Sequence, residues 1–309
     1  MRVSFVTTVK NEEQAITHSL TSVWQQSKKP DEIVIVDGGS TDGTHGLIKE
    51  QVERRSNVVF LRKVGNRAVG RNEAIKRASG EIIAVSDAGC TLDKDWLRHI
   101  TAPFKDADVA AVSGYYKPVT KSTFERCLAT YTCVMPDKVN PQTFLPSSRS
   151  IAFRKEVWRV VGGYPQHLNT CEDLVFAKKI KRKGFYLHFE KNAYVYWPQR
   201  KNIWQAFWQF FSYAKGDGEA RYVRAQTPFL LLRVAVAAGL IIAFAFLRAP
   251  TFLILFFLLL ILYIMLSLVK NYRYVKKWEA CVILPLLQVT ADVAVVLGMT
   301  VGLVKSLAR

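Results

Sequence analysis

Apolar and polar positions follow two different rhythms along this chain, and the change falls near residue 229. RVSFVTTV, 2–9, is a short apolar run of strand length. In NEEQAITHSLTSVWQQ, 11–26, Ile16, Leu20, Val23 and Trp24 share one helical face. DEIVIVDGG, 31–39, reads as a second strand closed by a turn. STDGTHGLIKEQVERR, 40–55, opens on capping residues and continues as a helix. NVVFLRKV, 57–64, is a third strand, RAVGRNEAIKRASG, 67–80, a helix ended by Gly80, and EIIAVSDAG, 81–89, a fourth strand. This β-α-β-α order predicts an α/β fold, a mostly parallel sheet with flanking helices. Ligands of such sheets bind beyond the carboxyl ends of the strands. Asp37 and Asp87 both stand at such ends, so one crevice is expected to hold them.

Past Asp87 the pattern loosens. VAAVSGYYKPV, 109–119, reads as a strand, and residues 120–150, with Pro136, Pro141 and Pro146, as polar loops. SIAFRKEVWRVVGGYP, 150–165, is a strand or a short helix closing in a Gly-Gly turn. EDLVFAKKIKRKG, 172–184, is a helix, and FYLHFEKNAYVYW, 185–197, is strand-like. There is no internal repeat and no low-complexity segment.

The second rhythm is continuous apolarity, in runs at 229–247, 251–269 and 281–304. A helix needs about 20 such residues to span a bilayer. Buried core helices would carry a polar face, and the middle run has none. The expected plan is a domain at 1–200, an amphipathic linker at 201–228 and a membrane domain at 229–309. In the linker, Ile203, Trp204, Phe207, Trp208, Phe210 and Phe211 form a wide aromatic face suited to the membrane–water boundary. The second connection, KNYRYVKKWEA, is rich in Lys and Arg and the first, LRAP, is not. The positive-inside rule then puts the N-terminal domain in the cytoplasm, at an inner or plasma membrane. MRVSFVTTVK is too short and polar for a cleavable signal, so insertion is expected to rely on the C-terminal runs. Asp292, inside the third run, would cost about 3 kcal/mol if left alone in lipid. It is expected to face another helix or a polar head group.

The net charge is +18, from 43 Lys and Arg against 25 Asp and Glu. With no aromatic-basic RNA-binding motif, nucleic acid is set aside. An anionic membrane surface explains the excess, each nearby cation contributing about 1 kcal/mol, and so do phosphate-bearing substrates. Cys90, Cys127, Cys133, Cys171 and Cys281 are odd in number and lack CxxC spacing, which suits reduced thiols.

VTTVKNEE, IVIVDGGSTDGT, RNEAIKRASGEIIAVSDAG and CEDLVFAKKIKRKG, in this order, resemble the family 2 glycosyltransferases of the GT-A fold over residues 1 to about 220. The resemblance implies an inverting hexosyltransferase-type enzyme using a nucleotide-diphosphate sugar, UDP- or GDP-linked. It implies that Thr8 and the turn holding Glu12 touch base and ribose, and that Asp37 accepts a hydrogen bond from the base. It implies that Arg67, Arg71 and Asn72 approach the ribose and diphosphate. It makes Asp173 the base that removes the acceptor proton, with Glu172 in support. The bland readings are a turn with a helix cap for DGGSTDGT, solvated arginines, and ordinary first-turn acids at 172–173.

The chain departs from the family at Gly89, where D-x-D has its last carboxylate, and at VYWPQR, where relatives carry a His and this chain has Trp197 and Arg200. The expectation is a weak site for Mg²⁺ or Mn²⁺ on Asp87 alone, with Arg200, Arg67 and Arg71 sharing the neutralisation of the diphosphate. The QxxRW sequence of processive synthases is absent after Asp173, and three spans are few for a polymer channel, so a single sugar addition is expected. The acceptor is expected to be lipid-linked, a polyprenyl phosphate or a glycolipid. The rival reading is a catalytically silent nucleotide-sugar-binding scaffold of a membrane glycan assembly, motivated by the missing carboxylate.

Overall fold

Strand β1 (Val3–Val9) is apolar on both faces and can only rest between two covered layers. Val3, Phe5 and Val9 face one core, and Val6 faces the other. Its neighbours repeat the pattern: β2 (Glu32–Asp37), β3 (Val58–Arg62) and β4 (Ile82–Val85) run parallel to it in the order β3-β2-β1-β4. Then come β5 (Thr91–Leu92), β6 (Val109–Val119), β7 (Ile151–Arg154) and β8 (Tyr186–Pro198). They extend the sheet as β4-β7-β6-β8-β5, with β6–β8 parallel and the other pairs antiparallel. The expected parallel sheet is therefore one half of a mixed one.

The computed structural model describes residues 1–53 and 55–308. They form two units: Met1–Val119 with Met135–Pro198, and Thr120–Val134 with Gln199–Arg309. In the first unit the helices are α1 (Ile16–Trp24), α2 (Thr44–Val52), α3 (Arg67–Arg77) and α4 (Trp96–Thr101). Helix α1 buries Ile16, Leu20 and Val23 beside Trp96, Leu97 and Ile100 of α4, under one face of the sheet. Helix α3 buries Ala68, Ala74 and Ile75 on the opposite face.

Helix α1 begins later than its periodicity suggests. Asn11 adopts φ 55°, and the NEE stretch is a turn whose Glu12 carbonyl accepts from Ala15 and Ile16. Residues 150–165 are both things the sequence allows, strand β7 followed by a helix, numbered here after α5 (Thr123–Thr132) as α6 (Lys155–Val160). Helix α7 (Glu172–Arg182) sits with its buried Phe176 and Ile180 on the α3 side of the sheet.

Helix α5 itself lies where loops are expected. Its signal is a capping box: Ser122 accepts from the Glu125 amide, and the Glu125 side chain turns back to the Ser122 amide. Residues 120–134 also fall in the second unit, whereas composition assigns everything up to 200 to the first.

The second unit continues with α8 (Ile203–Glu219), α9 (Thr227–Leu247), α10 (Pro250–Val275) and α11 (Ala280–Leu307). The last three are long and apolar enough to cross a membrane. Helix α8 is packed along α11. A Cβ on Gly298 would lie 2.4 Å from the Phe211 carbonyl, and one on Gly302 would lie 2.2 Å from that of Lys215. Only glycine admits this approach. Trp204 and Trp208 of α8 stay exposed. Asp292 has partners on each apolar helix: Arg233 of α9 at 3.0 Å, Tyr263 of α10 at 2.9 Å and Gln288 of α11 at 3.0 Å.

Candidate active site

At the carboxyl ends of β1 and β2, Thr8 pairs with Val36 and Val9 with Asp37. The Asp37 side chain is 0 % exposed. Its Oδ1 accepts from the Gly39 amide at 3.1 Å, the Ser40 amide at 2.8 Å and Ser40 Oγ at 2.7 Å, while His45 Nδ1 lies 2.8 Å from Oδ2. Burial would push this carboxyl up, but these donors hold it below the usual carboxylate range. An ionised carboxylate offers about four acceptor positions; the loop takes Oδ1 and His45 of α2 meets Oδ2. Asp37, expected to meet the base, is also the post around which the DGGSTDGT loop folds. Gly39 supplies φ +92° at the turn.

The NEE turn is laced to the same loop. The Asn11 amide donates to Ser40 Oγ at 3.1 Å, the Glu12 amide to Thr44 Oγ1 at 2.8 Å, and the Thr41 amide to Asn11 Oδ1 at 2.9 Å. Thr8 donates to the Val36 carbonyl at 3.2 Å and packs on Gly70, where a Cβ would stand 2.1 Å from Thr8 Oγ1. This close approach brings the first turns of α3 against the sheet.

Arg71 follows at once and is 2 % exposed. Its Nη2 reaches Asp87 Oδ1 at 2.6 Å, and its Nη1 reaches Glu172 Oε1 at 2.5 Å. One buried guanidinium thus joins the acid after β4 to the acid that opens α7, with the Tyr164 ring 5.5 Å away. Burial pushes Arg71 down, and the two carboxylates reverse this and raise it. Burial would also raise Asp87, but Arg71, Arg149 and Arg67 outweigh it and hold the group ionised. Glu172, more deeply enclosed, is raised by burial and by Asp173 despite Arg71.

Asp173 points the other way and is half-buried. Its Oδ1 accepts from the Leu174 amide at 2.8 Å, and its Oδ2 from Ser147 Oγ at 3.0 Å. Cys171, just before this pair, takes the left-handed φ 69°. Such a conformation is uncommon outside glycine and costs of order 1 kcal/mol or more. It turns the chain so that Glu172 enters the core and Asp173 does not.

The SSRS segment completes the site. Ser148 Oγ donates to Tyr164 OH at 3.2 Å, Trp96 Nε1 donates to Ser150 Oγ at 2.8 Å, and Ser150 Oγ donates to the Ala193 carbonyl at 2.9 Å. Between these anchored serines stands Arg149, whose Nη1 donates to Ser147 Oγ at 2.9 Å. Its guanidinium carbon lies 3.9 Å from the Trp197 ring centre and 5.3 Å from that of Tyr116. Sequence reading missed Arg149 because residues 120–150 read as loops. The available signal was a lone cation just ahead of the apolar strand IAF.

The other expected residues divide. Arg67, at the start of α3, is exposed and acts on Asp87 through its charge. Asn72 is fully engaged elsewhere: its Nδ2 donates to the Tyr164 carbonyl at 2.8 Å, and its Oδ1 accepts from Trp158 Nε1 at 2.9 Å and the Tyr164 amide at 3.0 Å. It pins the Gly-Gly turn, which corrects its expected contact with the donor. Arg71, expected to approach the ribose and diphosphate, is a buried tie between carboxylates. Arg200 is exposed and belongs to the second unit.

Among the described residues no three His, Cys, Asp or Glu side chains gather as a metal site. A Cβ on Gly89 would meet Glu12 Oε2 at 3.7 Å, so an aspartate there would set one carboxylate against another. Asp87 gives an oxygen to Arg71 and lies in the field of two more guanidiniums. This donor set is a poor fit for a divalent ion held by the protein.

Comparison with known proteins gives a match to the family model described as Glycosyl transferase family 2 over residues 4–160, just over half of the chain. Glycosyltransferase AglE of Haloferax volcanii is 26 % identical over 206 residues, covering 64 % of this chain and 67 % of that protein. Succinoglycan biosynthesis protein ExoA of Rhizobium meliloti is 26 % identical over 221 residues, covering 66 % of each. The matches therefore span about two thirds of the length of these relatives. Among solved structures, the mannosyltransferase PcManGT of Pyrobaculum calidifontis, in complex with GDP-Man and Mn²⁺, superposes with a TM-score of 0.62. It is 22 % identical, over 96 % of this chain and 87 % of that one, a likeness that speaks for the fold.

Proposed function

The chain belongs to glycosyl transferase family 2 and is a glycosyltransferase, and from that premise we propose that it is a membrane-anchored, inverting enzyme. It moves one sugar from a nucleotide-diphosphate sugar to a lipid-linked acceptor, with its first unit in the cytoplasm. The observation that carries this reading is the join of Asp87 and Glu172 through Arg71, which brings the donor-side strand end and the acid pair of α7 into one site.

In the proposed step the acceptor oxygen attacks the anomeric carbon opposite the leaving diphosphate. The new carbon–oxygen bond forms as the bond to the diphosphate breaks, and the electron pair leaves with the diphosphate. A hydroxyl acceptor passes its proton to Asp173, whose two oxygens are oriented by Leu174 and Ser147. A polyprenyl phosphate acceptor is already ionised and needs no base. Glu172 stays behind Asp173 and fixes Arg71. The NEE and DGGSTDGT loops, laced together, offer a preformed edge to the nucleoside. The expected Mg²⁺ or Mn²⁺ would meet a poor donor set at Asp87, which is already tied to Arg71, and no step here is routed through it.

The three apolar helices, the exposed Trp204 and Trp208, and the likeness to a protein named for succinoglycan biosynthesis support a cell-envelope glycan made at a membrane. The test is to incubate membranes bearing the protein with a panel of radiolabelled nucleotide sugars and to extract the lipid. Label entering lipid from one donor, and lost in Asp173→Ala with a hydroxyl acceptor, is expected. Donor that binds but is never transferred or hydrolysed would establish the silent scaffold in its place.

A further inference from the structure

A departing diphosphate gathers negative charge, and the protein must meet it with something positive and already in place. Arg71 is poorly suited, since its guanidinium is buried and shared between Asp87 and Glu172. Arg67 is exposed, where solvent weakens its pull. We infer that Arg149 is the residue that grips the leaving diphosphate, doing in this chain the work a metal ion on a second carboxylate would do. This deepens the reading above and rests on it.

Four observations carry the inference. Arg149 is half-buried, and its charge acts on both Asp87 and Cys90 at the end of β4. It shares Ser147 with Asp173: Arg149 Nη1 donates to Ser147 Oγ at 2.9 Å, and Ser147 Oγ donates to Asp173 Oδ2 at 3.0 Å. The cation and the proposed base are therefore one hydroxyl apart. Its segment is pinned on both sides, Ser148 by Tyr164 and Ser150 by Trp96 and Ala193, so the cation is positioned before any ligand arrives. Lastly, the Trp197 ring stacks on the Arg149 guanidinium at 3.9 Å. Stacking uses the face of a guanidinium, and the planar fork of an arginine suits phosphate geometry. Gly89 supplies no side-chain ligand for a metal ion, while Trp197 and Ser147 seat the guanidinium of Arg149.

The experiment uses the full chain in detergent and measures binding of UDP, GDP, ADP, CDP and dTDP and of the matching monophosphates, in EDTA and in Mg²⁺. The wild type is expected to bind one diphosphate in EDTA clearly more tightly than its monophosphate. Arg149→Gln should lower that diphosphate affinity about ten- to a hundredfold, the loss expected for a hydrogen bond to a charged group, and leave the monophosphate affinity unchanged. Arg149→Lys should recover part of the loss. An Arg149→Gln protein with the wild-type preference would overturn the inference, and so would a wild-type preference that vanishes in EDTA and returns with Mg²⁺. Should the Gln variant fail to fold, Arg149→Lys decides, because an undiminished preference would show that the fork geometry is not used. A wild type that binds no nucleotide of the panel is a different result, and it would remove the donor-binding reading beneath.

Discussion

Arg71 and Glu172 meet at 2.5 Å across 101 positions of sequence, with 2 % of one side chain and 4 % of the other exposed. Removing the cation strands a buried carboxylate and loosens Asp87 as well. Arg71→Met should cost about 3–5 kcal/mol of stability, read as a lowered thermal midpoint of the purified protein. A melting curve like the wild type's would show that the pair contributes no net stability.

Asp173→Asn keeps the shape of the side chain and removes its basicity. With a hydroxyl acceptor, turnover should fall about 10²- to 10⁴-fold while nucleotide diphosphate binding stays the same. Unchanged turnover with a hydroxyl acceptor would take the proton-accepting role from this residue. With a polyprenyl phosphate acceptor the variant should lose little, so the same substitution reports the acceptor class.

Strands β1 to β4 and the long apolar helices were legible because periodicity and composition act locally. The roles of the polar residues were not, because partners far away in sequence decide them. Arg67 and Arg71 are one helical turn apart and equivalent by pattern. Only Tyr164, Glu172 and Asp87, brought in by folding, make one of them a buried tie. DGGSTDGT encodes a turn and a ligand loop equally well, and Ser40 of the turn and His45 of α2 both engage the Asp37 carboxylate. Helix α5 was readable from Ser122 and Glu125 but was hidden by the prolines that follow it.

Acid should act through Asp37. Its folded value lies below the unfolded one of about 3.9, so its stabilising contribution is complete above that pH. The contribution is lost as pH falls through the folded value. Asp37→Asn should lower the thermal midpoint near neutrality, by about 2–4 kcal/mol of stability, and the gap from wild type should narrow below pH 4. A gap that stays constant from neutral to acid pH would show that the carboxylate's ionisation is not what the loop uses.

Gly302 tests the seam between α8 and α11. With the Lys215 carbonyl 2.2 Å from any added Cβ, Gly302→Val must push the helices apart. A loss of about 1–3 kcal/mol is expected, as for overpacked cores, seen as a lower unfolding temperature in detergent. Gly239, which meets nothing within 4 Å, is the control: Gly239→Ala should be nearly silent there. Equal behaviour of the two variants would count against the seam.

The bond between Arg233 and Asp292 joins the first apolar helix to the third. In lipid each charge alone resists partitioning, by about 3 kcal/mol, whereas together they cancel. If the three helices cross a bilayer as proposed, biogenesis inherits a rule from this: the earlier segment must linger at the insertion machinery, or in its shelter, until the later one emerges. The three segments would then be released to the bilayer as one package, and a chain stopped before residue 292 would leave an orphaned cation for quality control to find.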